Sequence, residues 1–349
     1  MSASGTPLHS LTDIPPTKVS LRVPATTANL GPGYDTLGMA MSIFMDLTVE
    51  VADTYSFEVE GEGKEHISTE NNLLTDTCRI AFEKYAKKPM PPLRFSMHNN
   101  IPFGCGCGSS SAAAVAGFVA GMLLAGFTME TRGQEELLAV IAKIEGHPDN
   151  AAPAIYGGIQ LGCKRESGDD VSFVTSRVPT PPNLSIVLFT PLKLMKASTD
   201  VTRSLVPQTA ALSDAIHNIS RSSLLVLALC SNRLELLKDC SDRLHENYRA
   251  DALYPHYRPC AKAATEAGAE YAFLSGAGPT VCAFVSGRRG DILTQPERER
   301  RVEQVAHAMI EAAKAAGVEG RAIITMPSDL GVHLSGVHSS SPNVSYVNI

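Results

Sequence analysis

Apolar and polar positions change period several times along the chain. Lys18 to Val23 and Ile43 to Val51 carry β-branched and apolar residues between turn-forming stretches, which predicts two strands around a Gly31-Pro32-Gly33 turn. Phe57 to Glu60 extends this β-rich start. Leu73 to Lys87 places apolar residues at helical spacing, and Leu93 to Met97 returns to a strand pattern after the Pro91-Pro92 break. Ile101 to Gly108 is glycine-rich and runs directly into serines and an apolar helix ending near Gly126. Thr131 and Gln134 have capping-box spacing, which predicts a second helix running to Glu145 and stopped by Gly146.

Further on, Tyr156 to Cys163 reads as a strand, Lys164 to Asp170 as a charged loop, and Pro179 to Pro182 as a change of domain. Leu184 to Phe189 is an apolar strand, and Leu212 to Leu244 carries helical patterns. Tyr271 to Leu274 and Val281 to Val285 flank Ser275-Gly276-Ala277-Gly278-Pro279-Thr280. Gln295 to Ala316 forms an amphipathic helix ended by Gly317, with a strand following at Arg321 to Met326. Strands and helices interleave in two halves, so the pattern predicts an α+β or α/β architecture. It comprises an arm at 1–17, a first domain at 18–180, a second at 181–335 and a loose tail at 336–349.

Composition narrows the function classes. The 349 residues are 44% apolar and 19% charged, values of an ordinary globular protein. A formal charge of −6 leaves no diffuse basic surface for nucleic acid or an anionic membrane, so neither is an expected partner. The eight cysteines are scattered without paired Cys-x-x-Cys spacing, which fits reduced thiols in the cytoplasm better than zinc or a redox couple. Residues 1–17 lack the apolar core of a secretory signal. Ala112 to Phe127 falls short of the roughly 20 apolar residues needed to span a bilayer and reads as a buried helix.

The segment Pro102-Phe103-Gly104-Cys105-Gly106-Cys107-Gly108-Ser109-Ser110-Ser111-Ala112 is the first chemical signal. Alternate glycines let backbone N–H groups close around an anion, and the following helix directs its positive end to the same place. Glycine-rich turns before helices are common, so this motif alone divides evenly between a packed turn and a phosphate site. It lacks the Gly-Lys-Ser/Thr of a Walker A loop and the glycine spacing of a dinucleotide fingerprint.

Four motifs in order resemble one family. The loop is similar to the ATP loop of the superfamily of galactokinase, homoserine kinase, mevalonate kinase and phosphomevalonate kinase. Pro24-Ala25-Thr26-Thr27-Ala28-Asn29-Leu30-Gly31-Pro32-Gly33-Tyr34-Asp35 resembles the amino-terminal motif of homoserine kinases. Glu145-Gly146-His147-Pro148-Asp149-Asn150-Ala151-Ala152-Pro153 and Ser275 to Thr280 complete a match from about Lys18 to Met326. Two departures are visible: Cys107 stands where the superfamily usually carries Leu or Met, and Ser111 where it carries Ala or Gly. Both are small enough to pack, and Cys107 is a candidate thiol for modification.

The resemblance implies a two-domain α+β fold with the site in the cleft between domains, ATP and Mg²⁺ as cofactors, and a homodimer. It further implies that Ser110 and Glu145 hold the metal, that Asn150 holds the substrate hydroxyl, and that Asp35, with Asn29 nearby, receives the substrate amino group. Arg203, four residues after a further substrate-binding position at Thr199, and Arg249 match carboxylate-binding positions, for which a guanidinium fork is suited. Asn72 falls at a position near adenine. Taken alone, Glu145 would be a solvated helix face and each arginine a surface ion pair. His147 either contacts substrate or caps its turn, and Asp149 is either a base or a structural acceptor. L-Homoserine is the acceptor favoured by this set. Mevalonate lacks the ammonium that Asp35 would bind, and a catalytically silent binder of the same fold would not need Glu145, Ser110 or the glycine loop.

Overall fold

The computed structural model describes residues 15–128, 131–167, 170–194, 199–286 and 300–335, with only the backbone described at 131, 132, 166, 167, 170, 171, 199 and 200. The arm up to residue 14, the tail at 336–349, residues 295–299 and the Thr131 side chain of the capping box lie outside that description.

Two sheets organise the chain, giving an α+β fold. The first is seven-stranded: β1 (Lys18–Ala28), β2 (Leu37–Val51), β3 (Ser56–Gly61), β4 (Leu93–Asn99), β5 (Ile159–Ser167), β6 (Asp170–Val178) and β11 (His333–Leu334). Its main path runs β11-β1-β2-β4-β3, and the hairpin β5-β6 joins through β2. All pairings are antiparallel except β3 with β4. The second sheet is four-stranded and antiparallel, ordered β10 (Gly320–Thr325), β7 (Ser185–Pro191), β9 (Val281–Val285) and β8 (Tyr271–Leu274). β11 lies within the stretch assigned to the second half yet pairs with β1 through Leu21 and Leu334.

Helices α1 (Leu73–Ala86), α2 (Ser109–Leu124), α3 (Thr131–Glu145) and α4 (Ala151–Tyr156) go with the first sheet. The apolar helix after the glycine loop is buried almost all round, as its uniform hydrophobicity requires. It meets α1 closely because Gly117 and Gly121 face backbone carbonyls, at which an added Cβ would lie 2.0 Å from Leu74 O and 2.1 Å from Cys78 O. In the second half come α5 (Thr199–Ser204), α6 (Leu212–Cys230), a 3₁₀ turn (Leu234–Asp239), α7 (Glu246–Leu253), α8 (Tyr257–Glu266) and α9 (Arg301–Ala315). Among the described residues no helix is long and apolar enough to cross a membrane.

Several sequence expectations change. β1 continues past Val23 because Pro24 sits at a bulge, where the register with β2 shifts and no ladder N–H is demanded of it. Tyr156 ends α4 rather than opening a strand. The predicted charged loop from Lys164 to Asp170 is instead largely strand: Lys164 pairs with Phe173 and Arg165 with Ser172 in the β5-β6 hairpin. Alternating charges suit such an edge hairpin, since one face meets water. The helices α5, α7 and α8 have no counterpart in the predicted elements.

Candidate active site

The loop between β4 and α2 is held in place by its carbonyls. Thr26 N donates to Cys107 O at 3.1 Å and Thr280 N to Cys105 O at 3.2 Å, while Ser275 Oγ donates to Gly106 O at 2.7 Å. In a trans peptide the N–H opposes the C=O, so the N–H groups of Gly106, Cys107 and Gly108 point away from these anchors. Residues Gly104 to Ser111 border a cavity of about 680 Å³. Gly106 and Gly108 take φ of 81° and 70°, in the left-handed region. A Cβ on Gly108 would also lie 1.8 Å from Thr26 Oγ1, so glycine is required sterically as well as conformationally. Gly108 caps α2 without any side-chain hydrogen bond, so the helix N-terminus offers its N–H groups and positive dipole end to an anion.

At one side of this cradle, Ser111 Oγ donates to Glu145 Oε1. The resemblance pairs Glu145 with Ser110, but Ser110 is exposed at the mouth of the loop, and the buried Ser111 makes the direct contact. Both hydroxyls and the carboxylate are hard oxygen donors, the set that suits Mg²⁺. Pro102 and Ala112, in the predicted nucleotide set, are buried and do not border the cavity.

The opposite end of the cavity is apolar and flat. His66 stacks on Phe103 with centroids 5.9 Å apart and planes at 12°, and Phe57, Ile67 and Leu73 also border it. His66 went unnoticed in the sequence because no local pattern links it to Phe103. Asn72 borders the cavity too, but its side chain caps α1: Oδ1 accepts from Thr75 N at 3.0 Å and Nδ2 donates to Ser68 O at 2.8 Å.

Beyond the glycine loop the lining turns polar through His147, Asn150 and Gly276. Asn150 Oδ1 accepts from Thr26 Oγ1 at 2.8 Å, which fixes the amide at the cavity floor. Asp149 is buried, and its carboxylate is hydrogen-bonded to His147 Nδ1. Asp35, His147 and Asp149 present ligand atoms within 4.8 Å of one another. A guanidinium already serves as the cation there: Arg203 Nη1 and Nη2 donate to Asp35 Oδ2 at 3.1 Å and Oδ1 at 2.9 Å. Asp35 itself has φ of 56°, and its N–H donates to Asn29 Oδ1 at 3.0 Å. Asn29 Nδ2 donates to Gly276 O at 2.9 Å. The Asn29 amide therefore clamps the amino-terminal motif to the carboxy-terminal glycine motif, and Asn29 does not border the cavity. Only the backbone of Thr199 is described, as the first residue of α5.

Arg249 is 3% exposed. Its Nε donates to Thr202 O at 3.3 Å, Nη1 to His245 Nδ1 at 3.0 Å and Nη2 to Tyr34 Oη at 3.4 Å. His245 Nε2 donates to Gly31 O at 2.8 Å, so the ring is a neutral tautomer that accepts from Arg249. Burial, reinforced by the Arg249 charge, holds His245 below the usual histidine range despite Asp242. His245 also stacks on Tyr34 at 4.8 Å. The i to i+4 spacing of His245 and Arg249 was a readable sign of one helix face. Glu246 anchors this helix to β8, accepting from Leu274 N at 2.7 Å and Tyr257 Oη at 2.9 Å. Burial, with Asp242 adding, pushes its carboxyl up to about 8.

For His147, burial opposes the charged form, but the Asp149 carboxylate and hydrogen bond outweigh it and raise the pKa above 6.5. Its contribution to stability is fully present below that value and is lost as pH rises through the higher folded value. His147→Gln is therefore expected to destabilise the protein more at about pH 6 than at about pH 9, as read by urea denaturation. Equal losses at both would exclude the ion pair.

The two loop cysteines are not reactive handles. Cys107 is 1% exposed and faces Thr280 Oγ1 at 3.7 Å. Burial pushes its thiol up to about 12 and that of Cys105 up to about 11. The expectation of a modifiable Cys107 is thus overturned.

Residues 72–158 match the family described as GHMP kinases N terminal domain, and residues 225–315 match GHMP kinases C terminal. The chain is 36% identical over 308 residues to a homoserine kinase of Desulfitobacterium hafniense, covering 88% of this chain and 96% of that one. It is 39% identical over 265 residues to a homoserine kinase of Thermus thermophilus, covering 76% and 86%. The crystal structure of homoserine kinase from Cytophaga hutchinsonii superposes with a TM-score of 0.74 over 95% of this chain and 100% of that one, at 23% identity. A Streptococcus pneumoniae phosphomevalonate kinase shares the fold, with a TM-score of 0.63 at 14% identity over 88% and 100%. With both halves of the chain matched and relatives of this identity over most of its length, the chain belongs to the GHMP kinase family, among the homoserine kinases.

Proposed function

We propose that this protein transfers the γ-phosphoryl group of ATP to the side-chain hydroxyl of L-homoserine, giving O-phospho-L-homoserine for threonine synthesis. The observation that carries the reading is adjacency. The glycine loop at a helix N-terminus shares a cavity with Asn150 and His147, and His147 lies with a ligand atom within 4.8 Å of one on Asp35. Asp35 pairs with Arg203, and Arg203 and Arg249 both approach the Tyr34 ring, a charge set that complements a zwitterionic amino acid. The relatives named homoserine kinase support it. The eight free cysteines fit a reducing cytoplasm.

Phosphoryl transfer asks for alignment and charge neutralisation more than covalent help from the protein. The loop N–H groups and the α2 dipole receive the phosphates, while the apolar lining of Phe57, Ile67, Leu73 and Phe103 receives the base. Mg²⁺, when bound, neutralises phosphate charge, and Glu145 with Ser110 would hold it, Ser111 fixing the carboxylate. Asn150, oriented by Thr26, donates its amide N–H to the acceptor hydroxyl oxygen. The hydroxyl's own proton leaves late in a loose transition state, to an oxygen of the transferred phosphoryl group as the new O–P bond forms and the bond to ADP breaks, so no strong base is needed. Asp149 keeps its partnership with His147 as a structural acceptor.

ADP release is measured with ATP and Mg²⁺ against L-homoserine, mevalonate, galactose and water. Turnover with L-homoserine well above the other three is expected. Equal rates, or none, would remove the assignment, and none would favour a silent binder.

A further inference from the structure

The acceptor end holds an uneven set of charges. Asp35 is the only carboxylate paired with Arg203 among the described residues, and both side chains are about one-third exposed, at 34% and 36%. Arg249 is buried, and the groups that receive its hydrogen bonds are neutral: backbone carbonyls, a neutral imidazole and a phenol. Among the described residues it forms no ion pair with a carboxylate. A buried guanidinium without a counter-ion calls for an anion. The two arginines also share one mount. Thr202, next to Arg203 on α5, supplies the carbonyl that receives Arg249 Nε. Both guanidinium groups approach the Tyr34 ring, whose centroid is 5.9 Å from Arg203 Cζ and 5.2 Å from Arg249 Cζ.

We propose that Arg203 is a specificity-determining residue that makes the acceptor site demand an amine and a carboxylate on the same molecule. This rests on the homoserine reading. While its fork is closed on Asp35, Arg203 competes with any incoming ammonium. An amine alone displaces it and leaves a second unpaired guanidinium beside Arg249, a repulsive arrangement. An amino acid brings its own anion. Its ammonium takes Asp35, and Arg203 crosses the Tyr34 face to share the carboxylate with Arg249, so one anion faces both guanidinium groups and the exchange adds no net charge. The Arg203 side chain is free to swing because it is only partly buried and sits near the end of a six-residue helix. Asp35 stays in place, fixed in its left-handed conformation by Asn29. Discrimination arises from a competing internal cation as well as from attraction to the substrate.

The test compares the unmodified protein with Arg203→Met and Arg203→Gln, measuring calorimetric affinity for 3-aminopropan-1-ol, which has the amine and hydroxyl but no carboxylate. Removal of the competitor is expected to tighten amino-alcohol binding roughly threefold, the scale of a partly exposed ion pair. Homoserine affinity should weaken by about tenfold or more, through loss of a charged contact to its carboxylate. ATP affinity and melting temperature report on folding in both variants. Amino-alcohol binding that is unchanged or weaker in both folded variants overturns the exchange and leaves Arg203 as a simple carboxylate ligand. Failure of the unmodified protein to phosphorylate homoserine would overturn the substrate reading instead, and that result is independent of the amine comparison.

Discussion

Gly106→Val is expected to abolish ATP binding outright. A Cβ at this position would lie 2.4 Å from Ser275 O and 2.8 Å from Gly278 O, and both are backbone atoms of the opposing glycine motif. Neither can rotate aside as a side-chain tip could. The φ of 81° adds a conformational penalty of about 1–3 kcal/mol for a β-branched residue. Relief requires the loop to separate from Ser275, which breaks the 2.7 Å bond to Gly106 O and turns the anion-binding N–H groups out of register. Isothermal titration with ATP should show no heat of binding, and the melting temperature should fall by several degrees. Gly317→Ala is the control, since its φ of 77° carries the same kind of strain but nothing lies within 4 Å of the added Cβ. It should cost about 1 kcal/mol and leave ATP binding intact. Retained ATP affinity in Gly106→Val would mean that the loop does not hold the phosphates.

Glu145→Gln should lower kcat by about 10²- to 10³-fold, the scale seen when one preorganised electrostatic contact is lost. The substitution is nearly isosteric and keeps an oxygen to accept from Ser111 Oγ, so the packing at the start of α2 survives. Only the negative charge is lost. ATP affinity measured without metal should change little, whereas the Mg²⁺ concentration giving half-maximal rate should rise. Mn²⁺ binding followed by electron paramagnetic resonance reads the same loss without catalysis. Full activity at limiting Mg²⁺ would exclude Glu145 as a metal ligand.

What could be read in the sequence was mostly local. The glycine loop and the helix it opens are adjacent in the chain, so their joint meaning survives without a fold. Strand β4 alternates buried apolar and exposed polar residues, β8 and β9 are short apolar runs bounded by turn residues, and all three fall where the pattern places them. Long-range pairing stayed hidden. Asp35 and Arg203 are separated by 168 residues, and nothing near either one announces their ion pair. Asn29 reads as a substrate contact by resemblance, but its amide oxygen accepts from Asp35 N and its amide nitrogen donates to Gly276 O, the latter 247 residues away. Ser111 looks like a packing substitution until α3 brings Glu145 against it. Cys107 looks accessible because glycines surround it, yet β1 and the Ser275 to Thr280 turn close over it. The shortest helices were missed because six to ten residues show too few turns for an apolar period to stand out.

The pairing of β11 with β1 has a consequence for biosynthesis. β1 leaves the ribosome about three hundred residues before its outer edge is covered, which among the described residues is done by His333, Leu334 and the N–H of Ser335. Until then Leu21 and its neighbours present unpaired backbone to any extended segment nearby. The first sheet therefore cannot finish as an independent unit during translation, and contacts of such long sequence separation slow its completion. A chain terminated at residue 330 would keep every residue of the cleft described here and still carry an open, sticky strand. Its failure would be seen as aggregation in the cell rather than as altered kinetics.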